Sequence, residues 1–131
     1  MRPLLLPPLL ALAACATPPQ PEPQQTGDAC AVVAAVAKEH YRFGPDNVPP
    51  PLKLEGWSPN CDWSRHGVSF PQTYASGPRW VEFKRPSFDG SGAEMETSIM
   101  HGPLAGMGYR CRVRSGFAGW TVERCEAAWV S

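Results

Sequence analysis

The cysteines are the residues of this chain whose chemistry can be argued from type and spacing alone. The five are Cys15, Cys30, Cys61, Cys111 and Cys125. An odd number in an exported protein leaves one thiol outside any disulfide framework. Cys15 stands apart because it directly follows an apolar run that ends in Leu12-Ala13-Ala14. This position predicts that Cys15 is modified and that the other four cysteines form two disulfides.

Residues 1–14 have the features of an export signal. Met1 and Arg2 give a short basic start, and a leucine-rich run follows. The run is too short to cross a membrane, which needs roughly 20 apolar residues. Leu12-Ala13-Ala14-Cys15 resembles the processing box of bacterial lipoproteins, in which the signal is removed and the cysteine becomes the acylated first residue. Ordinary secretory cleavage is the alternative, because Ala14-Cys15-Ala16 also fits a small-x-small site.

The lipoprotein resemblance implies a location as well as a modification. Members of that class carry several acyl chains, palmitate among them, and several chains anchor a protein stably. The expected partner of acylated Cys15 is therefore the lipid bilayer. Ala16 occupies the position where an aspartate often signals retention at the inner membrane, so the resemblance implies the outer membrane, facing the periplasm.

The segment after Cys15 is a tether rather than a folded element. Within residues 15–27, the stretch from Thr17 to Thr26 reads TPPQPEPQQT and contains no large apolar residue. Such a composition cannot bury enough surface to fold. In an extended, polyproline-like form it would hold the following domain on the order of 30 Å from the lipid.

Residues 28–131 are predicted to form a single domain with its own core. The whole chain has a formal net charge of zero, with twelve basic and twelve acidic residues. This balance gives no sign of a nucleic-acid partner. An envelope protein or a small ligand remains a possible partner.

The domain is predicted to be α+β, with one helix packed on an antiparallel meander of four to five strands. The helix runs from about residue 29 to 41, with Asp28 as its N-cap, and presents Val33, Val36, Ala37 and His40 on one face. Alternating segments bounded by glycine and proline predict strands near 61–70, 79–85, 93–100, 108–114 and 119–130.

Alternation along the strands also assigns the two faces of the sheet. The inward set is Val81, Phe83, Ala93, Met95, Ile99, Tyr109, Cys111 and Val113. The outward set carries charges, and we expect Glu94 and Glu96 to pair with Arg110 and Arg112 on the neighbouring strand.

Four cysteines allow three disulfide connectivities, of which we favour Cys111–Cys125 and Cys30–Cys61. On the last strand Trp120 and Val122 are out of phase with Cys125, Ala127 and Trp129. Both sets point inward only if a β-bulge lies near Glu123-Arg124. Cys30 would then join the start of the helix to the beginning of the sheet.

The remaining candidates for chemistry are three histidines, His40, His66 and His101. Their spacing fits no metal site, no cofactor motif is present, and no catalytic residue is assigned. A hydrolase using His66 with Asp62, or His101 with Glu96, stays open as an alternative. The sequence favours a role without catalysis.

Two looser resemblances concern the fold. The tail of the chain resembles small exported bacterial β-rich domains of unassigned function, through residues 85–88 (RPSF), Gly92-Ala93, Gly106-x-Gly108, Trp120-x-Val122 and Trp129-Val130-Ser131. A helix followed by a curved sheet is similar to cystatin-like and NTF2-like folds. That similarity implies a small-ligand pocket between helix and sheet, as an alternative to a binding or structural module of the envelope.

Overall fold

The computed structural model describes residues 3–4, 26–71 and 77–131. Cys15 and the proline-rich tether as far as Gln25 lie outside these residues, as does nearly all of the signal segment. None of the described helices has the length and apolar character needed to cross a membrane.

One helix opens the domain. Helix α1 spans Thr26–Ala35 and continues as a π-helical turn over Val36–His40. Asp28 therefore lies in the first turn, where a carboxylate suits the helix dipole, and the prediction that it is the N-cap was wrong. The π-helical turn is marked by Tyr41 N–H, which donates to Val36 O at 3.2 Å, five residues back.

The helix is buried around most of its circumference rather than on one face. Val32 and Val36 are fully buried, and Ala34 and Ala35 are nearly so. The sequence predicted one buried face on this helix, and the buried surface extends well beyond that face. The sheet covers one side, and the chain between Leu52 and Phe70 packs into the same core from another. A helix that is apolar all round fits such a position.

The sheet has five strands, and the predicted α+β class is confirmed. The strands are β1 (Trp80–Phe83), β2 (Ser87–Asp89), β3 (Gly92–Gly102), β4 (Ala105–Gly116) and β5 (Gly119–Val130). All pairs are antiparallel in the order β1-β3-β4-β5, and β2 pairs with β3 beyond the end of β1. The predicted strand near 61–70 was wrong, and the short strand β2 was not predicted.

Residues 61–70 form a 3₁₀ turn over Trp63–His66 and then an extended segment. Val68 and Phe70 are buried and alternate with exposed neighbours, which is the pattern that suggested a strand. The segment packs against the core without joining the sheet. Gly67 ends the turn with φ at 73°, a left-handed conformation that favours glycine.

The predicted inward face of the sheet is confirmed. Val81, Ala93, Cys111 and Val113 are fully buried, and Phe83, Met95 and Ile99 are nearly so. On β5 the register shifts at Glu123, where the bulge was predicted, and shifts again at Ala128. The second shift was not predicted, and it turns Trp129 to the outer face, over Gly108. Ala127 lies on the inner face opposite Tyr109, as predicted, but is exposed.

Two disulfides fasten the domain, with the predicted partners. Cys30 of α1 bonds to Cys61, with Cα atoms 5.7 Å apart. Cys111 and Cys125 lie directly opposite each other on β4 and β5, with Cα atoms 4.0 Å apart.

The charged outer face differs in one pairing from the expectation. Glu96 pairs with Arg110 at 3.2 Å, as predicted, and also with Lys84 at 3.6 Å. Arg112 lies opposite Glu94 in the register but forms its hydrogen-bonded ion pair with Asp89 instead. Asp89 reaches Arg112 because β2 turns back into β3 at this point.

Candidate functional site: a cavity between two loops

A cavity of about 750 Å³ lies between residues 43–49 and 61–70. Its lining is mostly apolar or aromatic, with a few polar groups: Phe43, Gly44, Pro45, Val48, Pro49, Cys61, Asp62, Trp63, Ser64, Gly67, Val68, Ser69 and Phe70. A volume of this size and a lining of this kind are typical of small-ligand sites.

The first wall follows the π-helical turn. Arg42 has φ at 61°, a left-handed conformation that is uncommon for a residue other than glycine. Asn47 holds it there, because the side-chain amide donates to Tyr41 O at 3.0 Å and to Arg42 O at 3.4 Å. Gly44 and Asn47 also exchange two backbone hydrogen bonds of 3.1 Å. This loop is therefore fixed by its own hydrogen bonds.

The second wall begins at Cys61, which the disulfide holds against α1. The 3₁₀ turn follows, and Val68 N–H donates back to Trp63 O at 3.1 Å. The Ser64 hydroxyl donates to Asp62 Oδ1 at 2.6 Å, which fixes the carboxylate at the start of the turn. Both walls are thus tied to the helix, the first through the main chain and the second through sulfur.

Aromatic rings form the base of the cavity. Phe70 lies 6.3 Å from Phe43 and 5.0 Å from Trp63 between ring centroids, edge to face in both cases. It also meets Phe83 of β1 at 5.9 Å. Pairs with this geometry stabilise beyond the area that they bury. Phe70 therefore joins the cavity to the core.

Asp62 is the charged side chain in the lining. The hydrogen bond from Ser64 lowers the pKa of this exposed carboxyl below its usual value, and nearby Arg65 lowers it further. Arg65 Nε lies 3.6 Å from Asp62 Oδ2. Asp62 is therefore an anion at neutral pH, beside a mainly apolar space.

Among the described lining residues, no serine or cysteine is paired with a histidine. Ser64 donates its proton to a carboxylate and has no histidine among the lining residues to act as its base. Cys61 is held in a disulfide and has no free thiol. An apolar base with a few polar groups can hold a small apolar molecule or an apolar side chain of a peptide.

The histidines considered in the sequence are not brought into catalytic pairs. Asp62 bonds to Ser64 and Arg65, and Glu96 pairs with Lys84 and Arg110. His40 packs edge to face on Tyr109 at 4.2 Å between centroids, and burial lowers its pKa. Within residues 26–71 and 77–131, no three histidine, cysteine or acidic side chains are grouped to hold a metal ion.

Sequence reasoning placed a possible ligand pocket between helix and sheet. A smaller cleft of about 270 Å³ does touch both Val33 of α1 and Phe83 of β1. The larger cavity was missed because residues 44–60 gave only a proline-broken connection. The apolar residues Pro45, Val48 and Pro49 within it were the one available signal.

Fold and site together define an α+β domain of one helix on an antiparallel sheet, with a loop-built aromatic cavity beside the helix. Comparison with known proteins adds no relative: no family model, no curated protein and no solved structure matches the chain.

Proposed function

We propose that this protein is a lipid-anchored module of the bacterial cell envelope that binds a partner and carries out no catalysis. The observation that carries the proposal is the distribution of its cysteines. Cys30, Cys61, Cys111 and Cys125 are consumed in two disulfides. Cys15 is the one cysteine left over, and it completes the sequence that resembles a lipoprotein processing box.

The order of segments agrees with such an anchor. Helix α1 begins at Thr26, directly after the proline-rich stretch that follows Cys15. An acylated Cys15 would hold the domain at the outer membrane, facing the periplasm, with the tether as a spacer. Disulfides also suit an oxidising compartment outside the cytoplasm.

The anchor is tested by replacing Cys15. Cys15→Ser should move the protein from the membrane fraction to the soluble fraction, or stop its processing. The matched control is Cys30→Ala with Cys61→Ala, which removes two cysteines without touching the processing box and should stay membrane-bound. Mass spectrometry of the mature wild-type protein should find acyl chains on an N-terminal Cys15. An unmodified N-terminus would refute the anchor.

A second candidate role, small-ligand binding, is favoured by the cavity of about 750 Å³. The probe for this role is N-phenyl-1-naphthylamine, an uncharged dye that fluoresces in apolar sites. We expect saturable fluorescence with the wild-type protein. Ser69→Trp, which fills the cavity, should abolish it, whereas Ser115→Trp on the far end of β4 should not. Equal binding by both variants would exclude the cavity as the site.

A further inference from the structure

The two edge strands of the sheet, β1 and β5, differ in whether another segment of the chain is hydrogen-bonded to them. At β1, Lys53 N–H donates to Val81 O at 2.9 Å and Val81 N–H donates to Pro51 O at 3.0 Å. The chain at residues 51–53 therefore covers that edge. Strand β5 is the last strand at the opposite end of the sheet, and residues 126–130 are exposed. A long edge strand can template pairing with another chain.

The main-chain groups available on β5 follow from the register. Cys111 and Cys125 have Cα atoms 4.0 Å apart, which marks the close, non-hydrogen-bonded type of antiparallel pair. The N–H and C=O groups of Cys125 therefore point away from β4, and those of Ala127 follow by alternation. Nearer the start of the strand, Val122 N–H donates to Glu39 Oε1 at 3.3 Å. The helix thus satisfies the edge at Val122 and leaves the later residues open.

Two bulges bracket the open stretch. The register of β5 shifts at Glu123 and at Ala128, and it is regular from Arg124 to Ala127. Bulges protect an edge by interrupting its hydrogen-bonding row. The four regular residues between them are the segment on which a new strand can pair.

We infer that the stretch Arg124–Glu126 pairs antiparallel with the same stretch of a second copy of this chain. The two sheets become one sheet across a two-fold axis at Cys125. This interface is separate from the proposed anchor and from the cavity.

The charges on β5 select this register. A two-fold axis at Cys125 places Arg124 opposite Glu126 of the second copy, and does so twice. Both side chains lie on the outer face, opposite Arg112 and Arg110 of β4 respectively. An axis at Arg124 would place two arginines in contact, and an axis at Glu126 would place two glutamates in contact. Like charges directly opposite on neighbouring strands destabilise the pairing.

The apolar end of β5 gives a reason for the edge to be covered. Trp129 is 42% exposed and Val130 is 70% exposed, next to the exposed Ala127. In an antiparallel pair this end runs alongside the beginning of the second copy's β5. Burial of these side chains adds to the main-chain hydrogen bonds.

The interface is short, so the dimer should be weak. Stable complexes bury roughly 1,200 Å² or more in total, and a pairing of three residues from each chain buries much less. We expect a dimer that forms between high micromolar and millimolar concentration and exchanges rapidly.

The test is a charge exchange, followed by sedimentation velocity of the full chain carrying Cys15→Ser across that range. Arg124→Glu and Glu126→Arg should each weaken the dimer roughly tenfold or more, because each creates two like-charge pairs. The double variant restores opposite charges and should associate like the wild type. Lys84→Glu, on the far side of the sheet, should leave association unchanged. Thermal melting confirms that each variant is folded.

Hydrogen exchange gives a second readout that needs no variant. The amide of Cys125 should become protected as concentration rises, whereas that of Val122, which already donates to Glu39, should not change. A wild-type chain that stays monomeric at millimolar concentration would overturn the inference. So would a dimer that both single variants retain, or one that the double variant fails to restore.

Discussion

The two halves of the domain are held together in different ways. In residues 80–131, the long strands β3, β4 and β5 pair along most of their length, and their register shifts only at bulges. In residues 26–71, a helix is followed by loops with short local hydrogen bonds and aromatic packing. The candidate cavity lies entirely in this second, irregular half.

The disulfides show what this difference means. Cys111 and Cys125 are 14 residues apart, and the strand ladder already places them side by side. Cys30 and Cys61 are 31 residues apart and join the helix to a segment outside the sheet. The same bond therefore reinforces an existing contact in the sheet and maintains a contact in the irregular half.

The largest difference in stability between the two halves should appear when each disulfide is removed in turn. Cys30→Ala with Cys61→Ala should lower the free energy of unfolding by about 3–4 kcal/mol in the chain-entropy model. Residues 61–70 should lose amide protection first, and the cavity probe should no longer bind. The comparison pair is Cys111→Ala with Cys125→Ala, which should cost about 3 kcal/mol and leave the cavity intact. Equal loss of protection throughout the domain in both variants would contradict the comparison.

A smaller loss of stability is expected when the hydrogen bond between Tyr41 and Thr97, which joins the two halves, is removed. The Tyr41 hydroxyl and Thr97 Oγ1 lie 3.0 Å apart, and Thr97 Oγ1 donates to Glu82 O at 2.7 Å. Burial raises the pKa of Tyr41 far above its usual value, so the hydroxyl stays protonated and donates to Thr97. Tyr41→Phe should cost about 1 kcal/mol in urea denaturation. Tyr109→Phe should cost less, because the Tyr109 hydroxyl donates to Met107 sulfur, which is a weak acceptor.

The sheet half could be predicted from sequence because its signals are local. Alternation gave the inward faces, and the phase change between Val122 and Cys125 gave the bulge at Glu123. The bulge at Ala128 left no such trace, because Ala127 and Ala128 are identical small residues. The irregular half depends on contacts that leave no periodic pattern in the sequence, such as the hydrogen bonds from the Asn47 side chain to Tyr41 O and Arg42 O. The cavity therefore could not be foreseen, although the disulfide that fixes one wall was.

Acid should weaken the sheet at the turn between β2 and β3. The bond to Arg112 and the backbone bond from Ser91 hold the pKa of Asp89 well below its usual value. A depressed carboxyl pKa stabilises the fold above the unfolded value of about 3.9, and this stability is lost as pH falls below it. Asp89→Asn should remove this part of the pH dependence between roughly pH 5 and pH 2. Thermal melting across that range checks it, with Asp46→Asn as the control. A parallel acid loss in Asp89→Asn and wild type would exclude the role of Asp89.

The smallest predicted effect distinguishes two neighbouring glutamates on the outer face. Glu96 contacts Lys84 and Arg110, whereas Arg112, the residue opposite Glu94, is already bonded to Asp89. Glu96→Lys should therefore replace two attractions with two repulsions and cost about 0.5–1 kcal/mol at low salt. Glu94→Lys should cost less, because Asp89 still neutralises Arg112.

Salt decides whether this difference is electrostatic. The side chain of Glu96 is 49% exposed, so its pairs with Lys84 and Arg110 are open to screening. At 1 M salt the Debye length is about 3 Å, and the cost of Glu96→Lys should fall toward that of Glu94→Lys. A difference between the two variants that persists unchanged at high salt would mean that packing of the Glu96 stem, not its charge, stabilises the strand pair. Glu96→Gln separates these contributions, because it keeps the stem and removes the charge.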